Sequence, residues 1–211
     1  FMLIKFIISC FLLAISPGPD NIYTLSLTME SGRKSGFMFI LGLVFGCFIH
    51  TLLLTLGFSI LILESSYTFN MLKYFGFIYL IYLAIQVYFS KNNFYLNTKE
   101  SNSNFNSFSY IKRGFLMNLL NPKVLIFFIA FFPNFIFSET IPYKFQILCL
   151  GLIFILITVL VFGSIVVFSS NIYLKFKNIQ KYKLIITYIN VIILVTISLL
   201  ILFSENNITL D

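Results

Sequence analysis

The chain has no tryptophan, one histidine, three cysteines and seven acidic residues among 211. Charged residues make up only 10%, against about 25% in a soluble domain. So few charges cannot cover a surface that faces water, which excludes a soluble enzyme. One histidine and scattered carboxylates argue against a metal-dependent membrane enzyme, and neither a metal nor a cofactor is expected. Cys10, Cys47 and Cys149 lie singly in three different apolar runs. That odd, scattered set offers neither a disulfide framework nor zinc spacing, and buried thiols acting as small apolar residues are the favoured reading. The absence of tryptophan beside abundant Phe, Ile, Asn and Lys points to AT-rich codon usage rather than to chemistry.

What is present is apolar: 59% of residues, with a mean hydropathy of +0.98. Runs occupy 2–30, 36–63, 71–90, 110–137, 143–170 and 184–203. At about 20 residues per span, the pattern predicts an all-α integral membrane protein with six transmembrane helices. Lys5 and the apolar stretch after it resemble a targeting core, but the remainder is too apolar for a secreted product. The segment reads as a retained span, and Phe1 in place of Met suggests that a residue or two precede it. The Asn/Ser-rich stretch 91–109 reads as a flexible cytoplasmic connector. It separates a first three-helix repeat, 1–90, from a second, 110–211.

The net charge of +7 is not gathered on one polar face, so nucleic acid is not an expected partner. Arg33, Lys34, Lys91, Lys99, Lys112, Arg113, Lys175, Lys177, Lys181 and Lys183 fall in the odd-numbered loops, against Lys73 and Lys144 in the even ones. That asymmetry places the odd loops in the cytoplasm and both termini outside.

Two runs are broken at their centres. Ser16-Pro17-Gly18-Pro19-Asp20-Asn21 interrupts the first, and Asn121-Pro122-Lys123 interrupts the fourth, with Pro122 lying 103 residues after Pro19. Three spans per half force the halves into opposite orientations. Paired, proline-broken helices in inverted halves point to a transporter's midplane site; the alternative is that both prolines only kink their helices. An intramembrane Asp or Lys favours the site.

Asp20 is read as capping the second half-helix and as the partner for a ligand ammonium or a proton. Thr24 and Thr28 continue a polar stripe from it, unless their hydroxyls bond back to their own helix. Asn121 as cap, Pro122 as first helical residue and Lys123 as charge offer a positive end to a carboxylate. For Lys123 an ion pair with Asp20 is the alternative. Asn118, one turn earlier, is placed to line the same cavity. Gly36, Gly42, Gly46, Gly57 and His50 share one face of the second span, which predicts a close helix seam. His50 is read there as a hydrogen-bonded structural residue, with a proton relay as the alternative. Gly42-x-x-x-Gly46 is also compatible with a homodimer contact.

With those residues assembled, the chain resembles the LysE/RhtB family of bacterial amino-acid exporters. The resemblance rests on Ser16-Pro-Gly-Pro-Asp20, Gly32-Arg-Lys-Ser-Gly36, Gly42-x-x-x-Gly46 with His50, Lys73-Tyr-Phe-Gly-Phe-Ile-Tyr-Leu80, and Gly114-Phe-Leu-Met-Asn-Leu-Leu-Asn-Pro-Lys123 followed by Phe131-Phe-Pro-Asn-Phe135. These motifs cover residues 11–135. The family often has glycine where Ala84 stands, and residues 143–211 match only as hydrophobic pattern. The resemblance implies six spans in the bacterial cytoplasmic membrane and export driven by the proton gradient. It also implies that Pro17, Gly18, Pro19 and Asp20 matter, together with Asn121, Pro122 and Lys123; Asn21, next in the first break, is a further candidate for substrate binding or coupling.

The leading expectation is therefore a secondary exporter of amino acids or similar small zwitterions, with protons and the lipid bilayer as its other partners. A cation exporter would need several carboxylates at depth, and only Asp20 qualifies. A membrane thiol–disulfide carrier would need two cysteines that meet. A scaffold would leave the polar breaks unexplained.

Overall fold

A computed structural model describes residues 2–58, 66–89, 106–138, 140–176 and 179–203. The connector expected at 91–109 lies almost wholly outside them, as do residues 59–65 at the end of the second run. The described chain is helical throughout, with no strand among the described residues. The helices are α1 (Met2–Ile15), α2 (Pro19–Leu53), α3 (Ser66–Phe89), α4 (Ser107–Leu119), α5 (Pro122–Ile126), α6 (Tyr143–Phe176) and α7 (Ile179–Leu202). Pro19–Leu56 and Tyr143–Ser169 are long and apolar enough to cross a membrane, and α4 with the helical segment from Pro122 to Phe135 makes a third if that bent pair counts as one span.

Local chemistry sets the boundaries. Pro17 and Pro19 separate α1 from α2, because proline removes a helix donor and its ring clashes with the preceding turn. Pro122 ends α4 in the same way, and the axis turns by 51° there. Inside α2 the backbone leaves helical geometry at Gly32, where φ is +83° and ψ 169°. A side chain there would meet nothing within 4 Å, so glycine is needed for the left-handed φ and not for space. Beyond α5 the chain continues as a π turn over Phe127–Phe131 and a 3-10 turn over Phe132–Phe135.

Packing follows from small residues and aromatic rings. A Cβ on Gly42 would strike the Ile111 carbonyl oxygen, and one on Gly114 would strike the Phe39 carbonyl oxygen. The backbones of α2 and α4 are thus in direct contact, the close approach that glycine permits between membrane helices. Gly46 faces Asn118 in the same seam. This face of Gly42 and Gly46 is filled by α4 of the same chain, which corrects the dimer-contact expectation for that motif. On the far side of the Pro122 break, Phe127, Phe128, Phe131, Phe132 and Phe135 pack with Phe6 of α1 and Phe154 of α6. Ring centroids there stand 4.3–6.2 Å apart. Such pairs contribute about 0.5–1.5 kcal/mol each.

Beside this apolar core several polar side chains are buried, while many large apolar ones face outward. Asp20, Thr24, Thr28, His50, Asn118, Asn121 and Gln146 are buried, while Ile4, Phe45, Ile78 and Leu160 are exposed. Large apolar side chains on the outside suit a lipid environment, where association rests on packing and internal hydrogen bonds.

Candidate functional site

The two proline breaks meet. Asn121 donates its side-chain amide to Asp20 Oδ2 at 2.7 Å, and both residues are buried, at 8% and 5% exposure. Asp20 Oδ1 is buried with no hydrogen-bond partner. One carboxylate oxygen is therefore committed to the fold and the other is left over, a costly arrangement unless a proton or a ligand completes it.

Asp20 is not the cap of α2. Gly18 holds the cap position in extended geometry (φ −146°) without a side-chain bond, Pro19 follows as first helical residue, and Asp20 lies within the first turn. Proline's fixed φ suits that first position, which moves the helix start two residues ahead of the sequence-based placement. The first turn still favours the carboxylate through the helix dipole. At the second break the cap is as expected: Asn121 Oδ1 accepts from the Lys123 backbone N–H at 3.0 Å, and Pro122 opens α5. One Asn121 side chain thus serves both breaks, capping its own helix with its oxygen and holding Asp20 with its nitrogen.

Each proline also frees a carbonyl four residues before it, since the N–H that would serve that carbonyl does not exist. Counting back from Pro17 gives Leu13, and from Pro122 gives Asn118. The Lys123 ammonium donates to the Leu13 carbonyl at 3.3 Å and to the Ser16 carbonyl at 3.1 Å. Asn21 donates to the neighbouring Ala14 carbonyl at 2.8 Å. At the other break His50 Nε2 stands 3.5 Å from the Asn118 carbonyl, beside an Asn121 N–H at 3.0 Å. The helix ends opened by proline are closed by basic or amide side chains, two of them from distant parts of the chain.

Lys123 is therefore not ion-paired with Asp20 through a direct hydrogen bond; its ammonium sits on the carbonyl end of α1. Gly18 lies beside it, and a Cβ there would stand 3.3 Å from the Lys123 nitrogen. The expected polar stripe is buried, but its hydroxyls turn inward on their own helix: Thr24 donates to the Asp20 carbonyl at 2.6 Å and Thr28 to the Thr24 carbonyl at 2.7 Å. Asn118 lies in the α2–α4 seam, its amide donating to Cys47 Sγ at 3.5 Å. His50 is buried against Phe128, with ring centroids 5.2 Å apart. Cys10 and Cys47 are buried free thiols, and Cys149 is an exposed one.

Two contacts escaped the sequence. Arg113 donates to the Tyr23 hydroxyl at 2.8 Å, tying α4 to the first turn of α2. Gln146, 1% exposed, accepts from the Phe137 and Ser138 N–H groups and donates to the Ser138 and Ile141 carbonyls. A glutamine at the start of an apolar run gives no sign of those four partners.

A family model for LysE type translocator matches residues 11–205. The chain belongs to the LysE type translocator family. The match extends well past residue 135, over the later helices that the motifs do not reach. Among similar proteins, an uncharacterized membrane protein of Bacillus subtilis (strain 168), YrhP, is 35% identical over 133 residues. That alignment takes in 59% of this chain and 63%, less than two thirds, of the Bacillus protein's length. The homoserine/homoserine lactone efflux protein of Salmonella typhi is 33% identical over 157 residues, 74% of each chain. An uncharacterized membrane protein of Vibrio cholerae is 26% identical over 158 residues, 75% of this chain and 76% of the other. No solved structure matches. The paired breaks are where this chain buries Asp20 against Asn121.

Proposed function

We propose that this translocator is a secondary active exporter of amino acids or related small zwitterions, driven by the proton gradient across a bacterial cytoplasmic membrane. The observation that carries the reading is the unpartnered Asp20 oxygen at the meeting point of two helix breaks. A buried carboxylate with one open oxygen is a natural acceptor for an ammonium and, in turn, for a proton. A proton on Asp20 weakens its hold on an ammonium, so proton entry from outside would promote release there. The second break presents the opposite sign through the start of α5 and Lys123, which suits the substrate's carboxylate. The efflux protein of Salmonella typhi, whose name specifies homoserine and homoserine lactone, makes those compounds the first substrates to test.

The architecture proposed for this cycle is six spans in two inverted repeats, with both termini outside. Helix partners support it. The second helices of the halves pair (α2 with α6), the third helices pair (α3 with α7), α4 packs on α2 and α1 packs on α6. Exchanging the two halves maps these four pairings onto one another, as two related repeats would.

Purified protein in proteoliposomes, given a panel of radiolabelled amino acids and an imposed pH gradient, tests the function. Gradient-dependent movement of homoserine or another amino acid is the expected result. Flux of none of them, by a folded and correctly inserted protein, overturns the proposal.

A further inference from the structure

Lys123 stands at the positive end of its own helix and serves the negative end of another. It is the second residue of α5, where a cation is disfavoured by the helix dipole. Its ammonium nevertheless reaches Leu13 and Ser16, whose carbonyls end α1. The Leu13 carbonyl lacks its ordinary donor because residue 17 is proline. The end of α1 is thus a small cation site made of carbonyl oxygens. Across the same break lies a carboxylate with an oxygen to spare. Two carbonyls satisfy two of the three donors of a primary ammonium, and a ligand ammonium that shifts toward Asp20 finds a further acceptor there. Lys123 uses the carbonyls and leaves the carboxylate oxygen open.

We infer that Lys123 is a tethered, displaceable occupant of the ammonium subsite, holding the carbonyl end of α1 until a substrate's amino group takes its place. The inference rests on the exporter reading and adds to it the position of the ammonium group. Displacement frees Lys123 to meet the substrate's carboxylate, so the same side chain vacates one half of the site and completes the other. In the absence of substrate, the tethered ammonium keeps the opened end of α1 from being left with unserved carbonyls. Gly18 is the space that permits this. Its extended backbone tolerates alanine, while an added methyl at 3.3 Å from the Lys123 nitrogen crowds the ammonium and makes it give by a few tenths of an ångström, which weakens its hold on the carbonyls.

The probe is n-propylamine, which has an ammonium and no carboxylate, so competition with Lys123 is read separately from carboxylate binding. Its half-saturating concentration is measured by thermal shift and by calorimetry on the full-length protein in detergent, for wild type, Lys123→Met and Gly18→Ala. Lys123→Met is expected to bind propylamine about tenfold more tightly than wild type, the order of one hydrogen bond to a charged group. Gly18→Ala is expected to move in the same direction by a smaller factor while keeping the lysine. Equal affinity in all three proteins overturns the inference, and so does weaker binding in Lys123→Met, which a purely structural latch predicts. If Lys123→Met does not fold, Gly18→Ala decides alone. A wild type that binds propylamine in this pattern but moves no amino acid defeats the exporter reading and not the cation subsite.

Discussion

Asn121 reaches across 101 residues of sequence to donate its amide to Asp20 at 2.7 Å, while its carbonyl oxygen caps its own helix. The two bonds come from opposite ends of one side-chain amide, so Asn121 serves both breaks, beside the Lys123 ammonium that also bridges them. Removing either bond should be separable. Asn121→Ser keeps a capping oxygen and loses the reach to Asp20; Asn121→Ala loses both. A cap is worth about 1 kcal/mol, and a buried hydrogen bond to a charged group about 1.5–3 kcal/mol. Thermal unfolding in detergent should rank wild type above Asn121→Ser, and Asn121→Ser above Asn121→Ala. Equal stability of all three would show that the amide does not hold Asp20.

The α2–α4 seam predicts a sharp contrast among glycines. Gly42→Ala and Gly114→Ala place a methyl against backbone that has no room to yield, and both should lower the amount of folded, monodisperse protein recovered from membranes. Gly46→Leu should do the same by colliding with Asn118. Gly163→Ala meets nothing within 4 Å and should be neutral, or slightly stabilising through helix propensity. Fluorescence-detected size exclusion of the four variants reads the difference directly. Equal recovery of Gly163→Ala and Gly114→Ala would contradict the close backbone contact.

His50 separates a structural role from a proton relay. Its ring packs on Phe128, and its only described polar contact is the long one to the Asn118 carbonyl. His50→Gln should therefore retain most of the flux, with a modest loss of stability. Normal protein levels with abolished flux would establish the relay instead.

The sequence made the breaks legible because proline acts locally: a missing N–H and a fixed φ are properties of Pro17, Pro19 and Pro122 wherever they stand. The glycine face of α2 was legible for the same reason, through its helical spacing. Even the two freed carbonyls, at Leu13 and Asn118, follow from counting back four residues. What fills them does not. Lys123 lies 110 residues from Leu13 and His50 lies 68 from Asn118, and such pairings are set by how the halves dock. The two-residue displacement of the α2 start, from Asp20 as cap to Gly18, reflects two preferences that both favour a helix start there. Proline at the first helical position prevailed over aspartate at the cap. The inward turn of Thr24 and Thr28 reflects a choice between local and distant partners that spacing alone leaves open.

Loop charge gives the orientation its own test. Single cysteines introduced at Asn93 and Asn178, in a background without Cys10, Cys47 and Cys149, should react with a membrane-impermeant maleimide only after the cells are opened. Labelling of either in intact cells would reverse the proposed placement of the odd loops in the cytoplasm.

Lys123 and the start of α5 are assigned to the substrate's carboxylate, so Lys123→Met should weaken transport of free amino acids more than transport of their amides. Comparing half-saturating concentrations for homoserine and its amide in counterflow checks this. The ratio between the two should narrow by about tenfold, the order of one charge-assisted bond. An unchanged ratio would remove Lys123 from carboxylate binding.

The central claim is that Asp20 couples substrate movement to the proton gradient. Asn at position 20 preserves size and can still accept the Asn121 amide, so the helix breaks should remain in register and the protein should fold. It cannot take up and release a proton. Gradient-driven flux and counterflow of radiolabelled homoserine are measured side by side in proteoliposomes for wild type and Asp20→Asn. The account predicts that the variant loses accumulation against a concentration gradient and its dependence on pH, while whatever exchange remains no longer responds to an imposed proton gradient. Asp20→Asn that still concentrates substrate with the wild-type proton dependence would contradict it.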